Sequence, residues 1–216
     1  MKNGKYSVLI VEDQAMPRAL FSHYIENSKI FALEAAIANA SVADIVCACS
    51  SIDLILMDVV TENGESGLLA AEKIKKKYPN IKIIIVASMP ECSYIQRAKK
   101  IGVEGFWYKE VDKEPILSIM ERVMEGEIIY PSAPTPVLIG LAKSTEFTEK
   151  ELEILRLMTG GYTNSEIASK LFVSPGVIKN HVADMLLKTG FRSRTQLAVR
   201  ARESGLVILE KEENEI

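Results

Sequence analysis

Long apolar runs are absent from these 216 residues. No stretch comes near the roughly 18 consecutive apolar residues of a membrane-spanning helix, so an integral helical membrane protein is excluded. No secretory leader is expected at this N-terminus. Met1-Lys2-Asn3-Gly4-Lys5-Tyr6 runs straight into Ser7-Val8-Leu9-Ile10-Val11, an apolar segment that is too short and is closed by acids, so a cytoplasmic location is expected. Cysteine is scarce: Cys47, Cys49 and Cys92 are odd in number, and Cys-x-Cys without a histidine cluster is poor metal spacing. Buried free thiols are expected rather than a disulfide framework.

Net charge is small, −3, but unevenly placed. Residues 1–125 hold 15 Lys/Arg against 17 Asp/Glu, 147–204 hold nine against six, and the tail from Gly205 carries four glutamates and one lysine. The segment 147–204 is the one suited to an anionic partner. The rest of the composition, 48% hydrophobic and 25% charged, is that of a globular chain long enough for one or two cores.

The first half is built around Ile52-Asp53-Leu54-Ile55-Leu56-Met57-Asp58, an apolar run without helical periodicity that ends in a carboxylate. Such a run reads as a strand buried on both faces of a parallel sheet. Further strands are expected at Ser7–Val11, Phe31–Ala35, Ile81–Val86 and Gly105–Tyr108. Helical patterns fall near Met16–Asn27, Val42–Cys49, Leu68–Tyr78, Tyr94–Lys100 and Lys113–Glu125. This alternation predicts an α/β doubly wound five-stranded parallel sheet, whose strand C-termini share one crevice.

Those C-termini deliver Glu12 and Asp13, Asp58, Ala87 and Ser88, and Lys109. Three carboxylates this close raise one another's pKa unless a cation sits among them. A hard divalent ion with oxygen ligands, in practice Mg²⁺, relieves the repulsion. Lys109 is suited to hold a phosphoryl oxygen, and Asp58 to act as a nucleophile that becomes an aspartyl phosphate.

Val11-Glu12-Asp13, Leu56-Met57-Asp58 and Gly105-Phe106-Trp107-Tyr108-Lys109 resemble the motifs of response-regulator receiver domains, over residues 1–125. The resemblance implies a flavodoxin-like fold, phosphorylation of Asp58 by a sensor histidine kinase, and Mg²⁺ held by Glu12, Asp13, Asp58 and the Val60 carbonyl. It further implies a Ser or Thr that bonds the phosphoryl group, and an aromatic switch at Phe106. The family's interval from Lys109 leads to Ala87, which has no hydroxyl. Either the strand end bulges to present Ser88, or the usual hydrogen bond is missing. The segment Val60–Gly67 replaces the family's Met-Pro pattern and is one residue longer.

Residues 126–146 read as a linker. Pro131, Pro134 and Pro136 favour extended chain, and Val137–Lys143 is a short apolar patch, either a helical turn or a segment packed on one of the domains.

From Phe147 the pattern is purely helical. Thr148-x-x-Glu151, Thr163-x-x-Glu166 and Ser193-x-x-Gln196 fit capping boxes, Ser174-Pro175 supplies another start, and Gly160-Gly161, Gly190 and Gly205 supply stops. Four helices result, near 149–159, 164–171, 175–188 and 194–204. The short second and longer third have helix-turn-helix geometry, with the third entering the DNA major groove. On the third helix, Lys179 suits guanine or phosphate, Asn180 suits adenine, Ala183 faces the groove and Val177 sits at its rim. His181, Lys188, Arg192, Arg194 and Thr163 are candidates for phosphate contacts.

Thr163-Asn164-Ser165-Glu166-Ile167-Ala168, Val177-Ile178-Lys179-Asn180-His181-Val182 and Arg192-Ser193-Arg194-Thr195-Gln196-Leu197 closely resemble the LuxR-type helix-turn-helix. This implies double-stranded DNA as a partner and a homodimer formed through the last helix, where Leu197, Ala198 and Ala201 make a small-residue stripe. Domains are expected at 1–125 and 147–205, with an acidic tail at 206–216, in a regulator of the NarL/FixJ type that is not an enzyme beyond its own phosphorylation and dephosphorylation. One rival keeps DNA binding without the phosphorylation switch. Another is an aspartate-nucleophile phosphatase, which wants a second Asp where Val60 stands.

Overall fold

The apolar runs form a parallel sheet in this computed structural model, which describes residues 4–88, 92–109, 114–131, 136–204 and 206–207. The strands are β1 (Tyr6–Val11), β2 (Phe31–Ile37), β3 (Leu54–Asp58), β4 (Lys82–Ala87) and β5 (Gly105–Tyr108), in the order β2-β1-β3-β4-β5. Every pairing is parallel. The connecting helices are α1 (Ala15–Glu26), α2 (Ala43–Cys49), α3 (Gly67–Lys77), α4 (Cys92–Ile101) and α5 (Ile116–Met124).

Alternation decides which core each residue joins. Val8, Ile10, Leu54, Leu56, Ile84, Val86 and Trp107 pack with Phe21 and Ile25 of α1 and with Ile116, Ile119, Met120 and Val123 of α5. Leu9, Val11, Ile55, Met57, Ile83, Ile85 and Phe106 take the other face and are equally buried. The strand order reverses between β1 and β3, so the ligand crevice of this topology lies at the C-termini of those two strands. Those termini are Glu12 and Asp58.

Contact grouping divides the chain into two compact units, with residues up to Ser88 and 94–131 in the first and 136–207 in the second. The linker expected over 126–146 is therefore much shorter. Ile129 bridges Gly105 in parallel and exchanges backbone hydrogen bonds with Glu104 and Phe106, while the Tyr130 hydroxyl donates to the Val103 carbonyl at 2.7 Å. Val137–Lys143 is not a helical turn. It forms a hairpin of β6 (Leu138–Ile139) and β7 (Ala142–Lys143), whose Ile139 and Ala142 belong to the second unit's core. Residues 132–135 lie outside the described residues.

The second unit holds α6 (Glu149–Thr159), α7 (Asn164–Lys170), α8 (Pro175–Thr189) and α9 (Arg194–Glu203). Both predicted boxes at Thr148/Glu151 and Thr163/Glu166 close in each direction. At α9 the Ser193 hydroxyl accepts from the Gln196 N–H, but Gln196 Oε1 reaches past it to the Arg192 N–H. Ser174 takes the N-cap position of α8 without a side-chain cap bond, and Gly190 ends α8 with φ +72°. Leu206 and Val207 are buried in this core rather than starting a tail. Gly205 and 208–216 lie outside the described residues. Cys47 is buried as expected, whereas Cys49 is exposed; the Cys92 side chain is outside the described set.

Candidate phosphoryl-acceptor site and nucleic-acid face

Glu12 is 1% exposed and Asp58 is 6% exposed, while Asp13 is half-buried, and one oxygen from each lies within 4.8 Å of the others. Lys109 Nζ reaches Asp58 Oδ2 at 2.9 Å and also pairs with Glu12 Oε2. Asp58 Oδ1 accepts the Val59 N–H at 2.7 Å, and Glu12 Oε1 accepts the Gln14 N–H at 3.1 Å. The three carboxylates and one lysine read from the strand ends are thus brought together.

Burial pushes the Asp58 carboxyl up to about 7, with Lys109 opposing and Glu12 adding to the rise. Burial also works against the charge on Lys109, but Asp58 and Glu12 outweigh it and hold the ammonium above its ordinary value. One ammonium, shared by Asp58 and Glu12, stands among three carboxylates and leaves excess negative charge. A hard divalent cation fits this donor set. Beside it, the bridge between Val60 and Ser66 is made by Gly67 N–H to Val59 O and Thr61 N–H to Glu65 O, which keeps the Val60 carbonyl out of the ladder.

Reading from sequence missed several supporting residues. Arg18 donates to the carbonyls of Glu12 at 2.6 Å and Asp13 at 2.9 Å, fixing the turn that carries both acids. The segment after Asp58 makes a turn at Glu62–Gly64, where Asn63 has φ 62° and Gly64 has φ 77°. At the fourth strand, β4 keeps an unbroken register through Ala87↔Tyr108. No bulge presents Ser88 within the strand, which ends at Ala87. Phe106 is buried with its ring 5.0 Å from that of Tyr108.

In the second unit Ile178, Val182 and Met185 pack into the core, leaving Lys179, Asn180 and Ala183 exposed and Val177 40% exposed at the rim. His181 is half-buried and Arg192 exposed. Thr163 is exposed, but its hydroxyl donates to Glu166 Oε2 at 2.7 Å within the cap. Lys188 does not extend toward a phosphate: its ammonium bonds Glu151 Oε1 at 2.8 Å, Oε2 at 2.7 Å and the Glu146 carbonyl at 2.9 Å. Burial opposes the Glu151 charge, yet Lys188 and the Thr148 N–H hold that carboxyl below its usual value. Arg194 likewise turns inward, to Asn164 Oδ1 at 2.7 Å and the Tyr162 carbonyl at 2.8 Å. Leu197 and Ala201 are fully buried in the domain's own core, so neither can meet a second copy; Ala198 is half-buried. Thr189 fills a core position and satisfies its hydroxyl on the Met185 carbonyl at 2.7 Å.

Residues 8–121 match the family described as the response regulator receiver domain, and residues 145–201 match the bacterial regulatory proteins of the luxR family. The response regulator protein VraR of Staphylococcus epidermidis is 31% identical over 207 residues, covering 93% of this chain and 98% of that protein.

The chain belongs to the response-regulator family.

VraR of Staphylococcus aureus is 30% identical to this response regulator with the same coverage. RcsB from Salmonella enterica serovar Typhimurium, bound to promoter rprA in the presence of the phosphomimetic BeF3−, shares the fold at a TM-score of 0.63 and 18% identity, covering 92% of this chain and 99% of that one. The response regulator thus joins a receiver to a LuxR-type DNA-binding domain, as a transcription regulator rather than an enzyme of the phosphatase kind. Among the described residues, no helix is long and apolar enough to cross a membrane.

Proposed function

We propose that Asp58 is the phosphoryl acceptor of a cytoplasmic, Mg²⁺-dependent switch, served by a sensor histidine kinase and controlling DNA binding by α8. The observation that carries this reading is the buried Asp58 carboxyl, paired with Lys109 and gathered with Glu12 and Asp13 at the strand-order reversal. Glu12, Asp13, Asp58 and the Val60 carbonyl would hold the cation, which supplies charge neutralisation for an incoming phosphoryl group. An Asp58 oxygen forms the new P–O bond as the donor's bond to phosphorus breaks. Lys109 then holds a phosphoryl oxygen that has replaced its carboxylate partner. In the presence of Mg²⁺ and a small phosphodonor, intact-mass measurement is expected to find one added phosphoryl group on the wild type and none on Asp58→Asn. Unmodified wild type, or a modified Asp58→Asn, would refute the assignment.

A second reading rests on Ala87: without the hydroxyl, phosphorylation occurs but shifts the receiver weakly, and DNA binding proceeds without it. Equal DNA affinity before and after full modification would favour that reading.

For the DNA face, Lys179 and Asn180 remain free to read base edges, with Val177 and Ala183 beside them and Arg192 and His181 near phosphates. A homodimer would use the outward face of α9, where Val199 is 50% exposed, flanked by Thr195, Ala198 and Arg202. Two lysines on one helix give a sharp test. Lys179→Ala is expected to weaken duplex binding with little change in melting temperature, by about 1–3 kcal/mol if the lysine reads guanine. Lys188→Ala leaves Glu151 buried and unpaired, so it lowers the domain's melting temperature and leaves the salt dependence of binding unchanged. The reverse pattern in titrations over a salt series would reassign both.

A further inference from the structure

Thr61 stands three residues past Asp58, inside the segment whose length departs from the family pattern, and it is 1% exposed. Its Oγ1 accepts the Ala40 N–H at 2.9 Å and donates to the Glu65 carbonyl at 3.1 Å. Its own N–H reaches the same Glu65 carbonyl at 2.9 Å, and the Glu62 N–H reaches Ala38 O at 3.1 Å. The segment after Asp58 is thereby fastened to its own return limb and to the loop between β2 and α2.

Peptide geometry gives this knot a role. The Val60 carbonyl and the Thr61 N–H belong to one planar trans peptide and point in opposite directions. Whatever fixes the Thr61 N–H therefore fixes the aim of the Val60 carbonyl. That N–H is fixed by Glu65 O, and Glu65 O is held in turn by the Thr61 hydroxyl, itself anchored on Ala40.

We propose that Thr61 is a positioning residue for the cation site: its hydroxyl, clamped between Ala40 and Glu65, locks the peptide plane that presents the Val60 carbonyl as a ligand. The inference rests on the reading of Glu12, Asp13, Asp58 and Val60 as that site. It makes the loop between β2 and α2 part of the cation's outer support, where conventional metal sites place their orienting hydrogen bonds.

The test compares the full-length wild type, Thr61→Val and Thr61→Ser. Valine keeps the volume and removes both side-chain bonds, whereas serine keeps the hydroxyl. Calorimetric Mg²⁺ titration is expected to show affinity weakened by about tenfold or more in Thr61→Val and close to wild type in Thr61→Ser. In phosphoryl uptake from acetyl phosphate, Thr61→Val raises the Mg²⁺ concentration for half-maximal rate while the rate at saturating Mg²⁺ is kept; a merely structural role would lower the saturating rate alone. Should Thr61→Val not fold, amide exchange in the wild type still decides, because Mg²⁺ is expected to slow exchange at Ala40. Unchanged affinity in Thr61→Val, equal losses in Thr61→Ser, or Ala40 exchange indifferent to Mg²⁺ would overturn the proposal while leaving the site intact. A wild type that binds no Mg²⁺ would instead overturn the site itself.

Discussion

Gly67→Ala is expected to cost the receiver much of its stability and to abolish phosphoryl uptake. Gly67 opens α3, and a Cβ there would lie 1.8 Å from the Asp58 carbonyl oxygen, 2.9 Å from the Asp58 carbonyl carbon and 3.0 Å from Met57 Cγ. A side chain can swing away from such a clash, but a strand carbonyl cannot: Asp58 belongs to β3, which is hydrogen-bonded to β1 and β4. The Gly67 N–H also donates to Val59 O at 2.8 Å, so the two backbones are tied where they would need to separate. Ordinary overpacking costs about 1–3 kcal/mol, and backbone overlap of this depth belongs at or above the upper end. A loss of about 3 kcal/mol lowers the melting temperature of a domain this size by roughly 10 °C. Circular dichroism melts read the loss directly, and a variant melting within about 2 °C of wild type would show that α3 moves aside freely. The requirement is for space alone, since φ at Gly67 lies outside the left-handed range.

Why was the receiver so legible from its residues? A strand buried on both faces must be apolar throughout, so Leu54–Met57 and Ile83–Val86 announce themselves without periodicity. The polar residues that end those strands then have one place to go, because an open parallel sheet gathers its C-termini. Glu12, Asp13, Asp58 and Lys109 were readable for that reason. The hairpin at Leu138–Lys143 was not: two residues per strand carry no alternation, and its membership in the second core depends on Ile139 and Ala142 meeting distant helices.

Charge type and apolar spacing mislead when the partner is remote in sequence. Lys188 and Lys179 are indistinguishable as letters, yet Lys188 is claimed by Glu151 across 37 residues while Lys179 stays exposed. Arg194 is claimed by Asn164 and Tyr162 in the same manner. The stripe of Leu197, Ala198 and Ala201 was correctly seen as a packing face, but a periodic pattern does not say whether the packing is within one copy or between two. Here α9 turns Leu197 and Ala201 onto α6 and α8, and offers Val199 outward.

The acidic nest should also make the metal-free protein less stable as pH rises, the reverse of ordinary carboxylate behaviour. A carboxyl raised from 3.8 to about 7 by folding holds its proton in the native state over the range where the unfolded chain has lost it. At this group the native state then binds more protons, so its contribution to stability is full below about pH 4 and falls until about pH 7. A rise of that size corresponds to a loss on the order of a few kcal/mol. Lys109 contributes in another window: its raised value adds stability that is present below its unfolded pKa of roughly 10.4 and is lost only above it. In chelator, denaturant midpoints of the wild type are expected to fall between about pH 4 and pH 7, while those of Asp58→Asn change less and end higher at pH 8. Mg²⁺ should flatten the wild-type curve by stabilising the ionised carboxylates and leave Asp58→Asn less affected. Parallel curves for the two proteins in chelator would mean that Asp58 is already ionised beside Lys109, and that the cation is not needed to prepare the nucleophile.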